Sequence, residues 1–318
     1  MSVQIVRYMH EQRTAWGVVH GHRIAPLPGD YAGTRDFIEK GLDLAWAATA
    51  AEAVLELDEV ALLSPVTTDQ QFLCQGTNYA SHVRESGMDP SKIGFNTIFT
   101  KASSCLSPAD ADVARPRHVR LLDYELELGL VMRRPLREHT SIGPGELHEW
   151  LAGVTIVNDI SARDIQLPQT QFYKGKSYRS FGPTGPFLVL LSPSEWQRWP
   201  ELRMQLSVNG RLRQDAYCGD MIFKPHQTLT ELSGLHDLGP GDLIATGTPA
   251  GCAARAPGKL AMWLMKHVLS EQAKWKLFIK KGTANPAYLQ PGDLIRATIR
   301  TEDGRIDLGE QRNRIVAA

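Results

Sequence analysis

Two glutamates two residues apart, Glu125 and Glu127 in Asp123-Tyr124-Glu125-Leu126-Glu127-Leu128, put two carboxylates on one face of an expected β-strand. Side chains in a strand alternate, so the pair sits about 6.7 Å apart along the chain, with Tyr124, Leu126, Leu128, Leu130 and Met132 on the opposite face. Two like charges that close on a half-buried strand are unfavourable unless a cation or a basic partner neutralises them. Taken alone, the pair is also what the solvated face of a half-exposed antiparallel sheet presents. Asp159 changes that balance. It ends the run Ala152-Gly153-Val154-Thr155-Ile156-Val157, whose apolar character predicts burial, and a buried carboxylate needs a partner. Three convergent carboxylates, with no Cys and no obligatory His, suit a hard cation: Mg²⁺, Mn²⁺ or Ca²⁺ rather than zinc. They fill half an octahedron and leave positions for water and a chelating 2-oxo acid. Because three carboxylates and a dication sum to about one negative charge, an anionic substrate requires further cations nearby. Arg163, Lys176 and Lys101 are available.

His82 and Glu85 supply a different chemistry. Three residues apart, they share a face of one helical turn, so the carboxylate can hold one imidazole nitrogen while the other takes a proton from water. An ordinary surface contact on a helix has the same spacing.

The elements that must position these groups follow from patterning. Short strands are expected over Val3 to Met9, Trp16 to Val19 and Ile24 to Leu27, and an alanine-rich helix over Thr34 to Ala53, giving a small N-terminal α+β domain at 1–67. Apolar runs then alternate with turn signals from Phe72 onward, among them Tyr124 to Met132, Leu151 to Val157, Phe187 to Leu191 and Met204 to Val208, the last followed by the hairpin signal Asn209-Gly210. Pro240-Gly241-Asp242-Leu243-Ile244 recurs as Pro291-Gly292-Asp293-Leu294-Ile295, two turn-strand units of one expected β-core. The fold class is therefore α+β and strand-rich, with a larger second domain at 68–318. Within it, Leu260, Leu264, Val268, Trp275, Phe278 and Ile279 recur at helical spacing. They predict an inserted helix at 259–281, packed on the core or on a neighbouring subunit.

Composition narrows the function classes. In 318 residues Lys+Arg and Asp+Glu both number 35, so no basic field points to nucleic acid or to an anionic membrane, and a small-molecule substrate is expected. There is no run of 18 apolar residues and no apolar signal core near the N-terminus, which predicts a cytoplasmic protein. Cys74, Cys105, Cys218 and Cys252 lack CxxC spacing and read as buried small hydrophobes. His20-Gly21-His22 falls where a hairpin turn is expected rather than in a metal site.

Seven segments in a fixed order carry a resemblance. They are Gly76-Thr77-Asn78-Tyr79-Ala80-Ser81-His82-Val83-Arg84-Glu85 with Phe99-Thr100-Lys101, Tyr124-Glu125-Leu126-Glu127, Asn158-Asp159-Ile160-Ser161-Ala162-Arg163-Asp164-Ile165-Gln166, Gly175-Lys176-Ser177-Tyr178, Gly182-Pro183-Thr184-Gly185-Pro186, and Thr246-Gly247-Thr248-Pro249-Ala250-Gly251. From about Phe72 to the C-terminus the chain resembles the fumarylacetoacetate hydrolase family, in particular its acylpyruvase and 2-hydroxyhepta-2,4-diene-1,7-dioate isomerase branch. The resemblance implies a mixed β-roll core in a catalytic domain at 68–318, and a homodimer, with Mg²⁺ or Mn²⁺ on Glu125, Glu127 and Asp159. It implies His82 and Glu85 as a water-activating dyad with Lys176 catalytic beside them. Asn78, Lys101, Arg163, Gln166 and Thr248 are placed near the substrate or behind the metal ligands. The activity it implies is cleavage of a C–C bond in an acylpyruvate or related β-diketo acid. An oxaloacetate-type decarboxylase or a dienedioate isomerase uses the same scaffold, and a non-catalytic cation-binding protein is the remaining alternative. The helix at 259–281 is longer than the family's usual connection, which implies a reshaped oligomer or pocket rim, and residues 1–67 match only loosely.

Overall fold

The computed structural model describes residues 2–255 and 270–318. Its backbone is strand-rich α+β, as patterning predicts. An 11-stranded sheet runs from Leu55–Glu56 through Arg23–Pro26, Arg13–His20 and Val3–His10 to Phe187–Leu190, Leu151–Asn158, Leu126–Met132, Leu243–Ala245, Phe72–Gly76 and Thr97–Thr100, with Ala61–Leu63 pairing Val3–His10 off this path. Most neighbours are antiparallel, but Leu243–Ala245 and Phe72–Gly76 run parallel, so the sheet is mixed. The small N-terminal domain adds its strands to this sheet through Val3–His10 against Phe187–Leu190. A second sheet of five strands contains Arg211–Tyr217, Arg203–Val208, Leu294–Arg300, Asp307–Ala317 and Val113–Arg115, and Arg203–Val208 packs toward Leu126–Met132.

Three expectations change. Leu126–Met132 is buried along its whole length, not half-exposed, because it lies inside the larger sheet with the second sheet over it. Thr34 to Ala53 is two short helices, Thr34–Lys40 and Leu42–Ala47, separated at Gly41. At Gly41 a Cβ would lie 2.7 Å from the Phe37 ring, which itself stacks on Trp16 with centroids 4.2 Å apart. The two Pro-Gly-Asp units also part company. Their strands, Leu243–Ala245 and Leu294–Arg300, enter different sheets.

The hairpins behave as read. His20-Gly21-His22 joins Arg13–His20 to Arg23–Pro26, and Asn209-Gly210 joins Arg203–Val208 to Arg211–Tyr217. All four cysteines are free and buried. Among the described residues no helix is long and apolar enough to cross a membrane. The expected helix at 259–281 is observed as Glu271–Thr283, while Leu260, Leu264 and Val268 lie outside the described residues.

Candidate metal centre and substrate cavity

Local pairing brings the three carboxylates together. Register between Leu126–Met132 and Leu151–Asn158 sets Leu126 opposite Asn158, so Asp159 emerges beside Glu125. Two hydrogen bonds lock that juxtaposition: Asp159 N donates to Glu125 O at 2.8 Å, and Glu125 N donates to Asn158 Oδ1 at 3.0 Å. One carboxylate oxygen from each of Glu125, Glu127 and Asp159 then lies within 4.8 Å of the others, and all three residues are buried. At an effective dielectric near 20, two charges at that separation repel by roughly 3 kcal/mol. Burial, and then the charges of Asp159 and Glu125, push the Glu127 carboxyl well above the usual carboxylate range. A buried all-oxygen trio in which one member is driven toward protonation fits a divalent hard cation, which would relieve both terms.

Three basic side chains converge on the same groups. Lys176 Nζ bonds Glu125 Oε2 at 2.6 Å, Asp159 Oδ2, and Ser161 Oγ at 2.9 Å. Lys101 Nζ bonds Asp159 Oδ1 at 2.5 Å and Phe181 O at 2.6 Å. Arg163 pairs with Glu125 Oε1 and, through Nε, with Asp123 Oδ2 at 2.9 Å. Burial alone would raise the Glu125 carboxyl, but Arg163 and Lys176 outweigh it and hold the group down at about 2. Burial would likewise lower Lys176, yet Asp159 and Glu125 keep it protonated. With Asp123 included, four carboxylates face three cations in the buried cluster. A dication would turn its single net negative charge into a positive one, suited to an anionic ligand.

His82 stands on the helix Ala80–Glu85 and lines the same cavity as Glu125 and Glu127. The expected hydrogen bond from the imidazole to the Glu85 carboxylate is not made. Instead Glu85 Oε2 accepts the Gly251 amide at 2.8 Å, and its Oε1 faces Arg255 Nε at 3.5 Å. That amide is available because Gly251 adopts φ +109°, where a Cβ would lie 2.0 Å from Arg213 O. His82 Nδ1 is buried and has no hydrogen-bond partner among the described residues. Burial lowers the imidazole pKa, with Glu125 opposing in part. A neutral ring with an uncommitted nitrogen beside the carboxylates is a competent proton acceptor.

Other expected residues divide between the cavity and its frame. Gln166 lines the cavity, and its Oε1 accepts from Arg163 Nη1 at 2.9 Å, which leaves its amide nitrogen to donate to a ligand. Thr248 also lines it, but its hydroxyl already donates to Leu126 O at 3.0 Å and accepts from Gln214 at 2.8 Å. Lys101 lies behind Asp159, fully buried, and orients that carboxylate. Asn78 is not on the cavity wall. Its amide ties Thr246 O at 2.9 Å to Phe223 O at 3.2 Å and accepts the Phe223 amide at 2.7 Å, so every polar atom is used within the frame.

One contributor was missed in the sequence. Asp123 accepts from Arg163 and from the amides of Ala253 at 2.8 Å and Ala254 at 3.0 Å, tying the loop above the cavity to the cation that flanks Glu125. Its signal was present: Asp123, Glu125 and Glu127 alternate by two. The helix Glu271–Thr283 was expected on the core, on a neighbouring subunit or at the pocket rim. Rather than covering only core, it presents Trp275 and Phe278 to the cavity, which measures about 730 Å³.

The pattern described as "Fumarylacetoacetate (FAA) hydrolase C-terminal" matches residues 71–316, and that described as "Rv2993c-like, N-terminal" matches residues 4–65. An uncharacterized protein of Staphylococcus aureus strain USA300 is 31% identical over 253 residues, covering 79% of this chain and 72% of that one. Among solved structures, a probable 2-hydroxyhepta-2,4-diene-1,7-dioate isomerase from Mycobacterium abscessus is 27% identical. It superposes with a TM-score of 0.74, covering 100% of this chain and 99% of that one. Fumarylacetoacetate hydrolase from psychrophilic Exiguobacterium antarcticum, also 27% identical, gives 0.68 over 99% of this chain and 100% of that one. Every carboxylate and cation of the cavity floor falls inside the 71–316 match, and the chain belongs to the fumarylacetoacetate hydrolase family.

Proposed function

We propose that the chain is a divalent-metal-dependent hydrolase that cleaves a C–C bond of an acylpyruvate or related β-diketo acid. The observation that carries this reading is the His82 imidazole, its Nδ1 without a hydrogen-bond partner among the described residues, in the cavity that Glu125 and Glu127 of the buried carboxylate trio also line. Mg²⁺ or Mn²⁺ held by those three carboxylates would supply Lewis acidity to the oxygens of a chelating 2-oxo acid. Arg163 and Gln166, bonded to each other beside Glu125, would orient the substrate carboxylate, and Lys176 would offset negative charge as it develops. His82 takes a proton from water, whose oxygen adds to the distal carbonyl carbon. The bond from that carbon to the methylene breaks, its electron pair leaves as the enolate of pyruvate, and one proton returns to the methylene carbon. Water plus the diketo acid thus yields a carboxylic acid and pyruvate.

A second reading is favoured by one contact. Glu85 is committed to Gly251 rather than to His82, and decarboxylation of oxaloacetate or isomerisation of a dienedioate needs the electron sink without an attacking water. A turnover panel of acylpyruvates, fumarylpyruvate, oxaloacetate and a 2-hydroxyhepta-2,4-diene-1,7-dioate, each with Mg²⁺ and Mn²⁺, separates the two. Cleavage of diketo acids that is lost in His82→Ala supports hydrolysis; turnover of oxaloacetate or the dienedioate alone rejects it. Assembly as a homodimer belongs to the same proposal, and light scattering on the eluted protein tests it.

A further inference from the structure

Two aromatic pairs line the cavity besides the charged groups of its floor. Phe99, on the strand Thr97–Thr100, meets Phe172 edge-to-face with centroids 5.0 Å apart, and Trp275 meets Phe278 in the same way at 5.9 Å. Leu167 and Leu277 line the cavity with these four rings, and the cavity is continuous with Glu125 and Glu127. Its volume of about 730 Å³ lies well inside the range of roughly 300–1,000 Å³ that holds drug-sized ligands. A four-carbon diacid would leave most of it unfilled.

The wall is docked rather than loosely hung. Gly282 is buried where a Cβ would lie 2.6 Å from Leu121 Cδ1, Phe278 packs on the core, and Asn285 Nδ2 just beyond the helix donates to Ala253 O at 3.1 Å. Beyond Arg163 and Lys176 of the floor, Arg255, Lys274 and Lys281 line the cavity; Lys274 is engaged with Glu271 at 2.6 Å and Arg255 with Glu85 at 3.5 Å.

Resting on the 2-oxo acid reading of the floor, we infer that the enzyme selects substrates whose distal end is a bulky apolar group, an aryl ring in particular, rather than a second carboxylate. A flat ring brings its face and edge to two aromatic pairs already set edge-to-face, and it withdraws apolar area from water without stranding a charge among apolar walls.

Binding tests this separately from turnover. With the Mn²⁺-loaded protein, calorimetry compares 4-phenyl-2-oxobutanoate, 2-oxoglutarate and pyruvate, which share the chelating end and differ distally. The aryl acid is expected to bind about 10- to 100-fold more tightly than either other acid. Trp275→Ala and Phe278→Ala should each cut the aryl-to-pyruvate affinity ratio about tenfold. Trp275→Phe should keep most of it, which guards against a folding artefact, and Lys276→Ala on the exposed side of the same helix should leave it unchanged. Equal or tighter binding of 2-oxoglutarate, or an unchanged ratio in folded Trp275→Ala and Phe278→Ala proteins, overturns the inference. Aryl-selective binding without cleavage of any diketo acid would support this selectivity while rejecting hydrolysis; cleavage restricted to dioic substrates would do the reverse.

Discussion

The floor and the wall of the cavity are built on opposite principles. On the floor, charged groups from sequence-distant segments are buried and multiply bonded: Asp159 by Lys101 and Lys176, Glu125 by Lys176 and Arg163, Asp123 by Arg163 and two loop amides. Removing one partner strands the others at low dielectric. Much of the wall is one helix, Glu271–Thr283, that brings apolar side chains to the cavity, where Phe99, Leu167 and Phe172 also line it, and that is seated at Gly282. Its contacts are non-directional, so substitution there changes what fits more than whether chemistry proceeds. Reaction type is therefore held by a rigid network and substrate range by a separable element.

The largest break in this contrast should come from the floor. Chelation, or Glu127→Ala, is expected to lower kcat on the order of 10³-fold or more, read with metal content measured on the same samples. Stability carries a matching signature. The folded Glu127 pKa lies above its ordinary 4.5, so without metal the folded chain keeps a proton that the unfolded chain releases. Metal-free stability then falls as pH rises from 4.5 toward the folded value, and added Mn²⁺ should raise Tm more at pH 8 than at pH 5. An equal rise at both would remove Glu127 from the binding site.

Next comes His82. His82→Ala should reduce diketo acid hydrolysis by about 10²- to 10⁴-fold, while any oxaloacetate decarboxylation stays within roughly tenfold of its starting rate because no water must be activated. In the unmodified protein only the neutral ring accepts a proton, and burial depresses its pKa. The acid limb of kcat/KM should accordingly lie below the ordinary imidazole value of 6.5 and vanish in His82→Gln. A limb above 6.5 would contradict the buried, partnerless ring.

Asp123→Ala probes the network itself. It removes one of two carboxylates on buried Arg163 and strands two loop amides, for an expected loss of about 3–5 kcal/mol in denaturant unfolding. The smallest effect belongs to the wall. Gly282→Ala must displace the flexible end of Leu121, costing about 1–3 kcal/mol, and should shift KM among substrates of different distal size more than it shifts kcat. A fall in kcat as large as that from the floor variants would erase the distinction between the two regions.

Alternation of Glu125 and Glu127, the apolar run ending at Asp159 and the ordered motifs identified the trio, the strand-rich class and the hairpins from local pattern alone. The fate of Glu85 could not be read that way. Its spacing from His82 permits a dyad, yet the Gly251 amide, from a loop 166 positions along the chain, takes the carboxylate instead. Trp275 and Phe278 likewise announced an apolar helical face without saying whether it met core, partner or cavity. Periodicity therefore determined which faces are apolar and which residues carry charge. Only the tertiary structure decided that the carboxylate strand is buried on both sides, that Asp123 anchors the network and that one apolar face lines the cavity. The physical reason is that burial and hydrogen-bond partners come from segments far apart in the chain, and neither leaves a trace in local spacing.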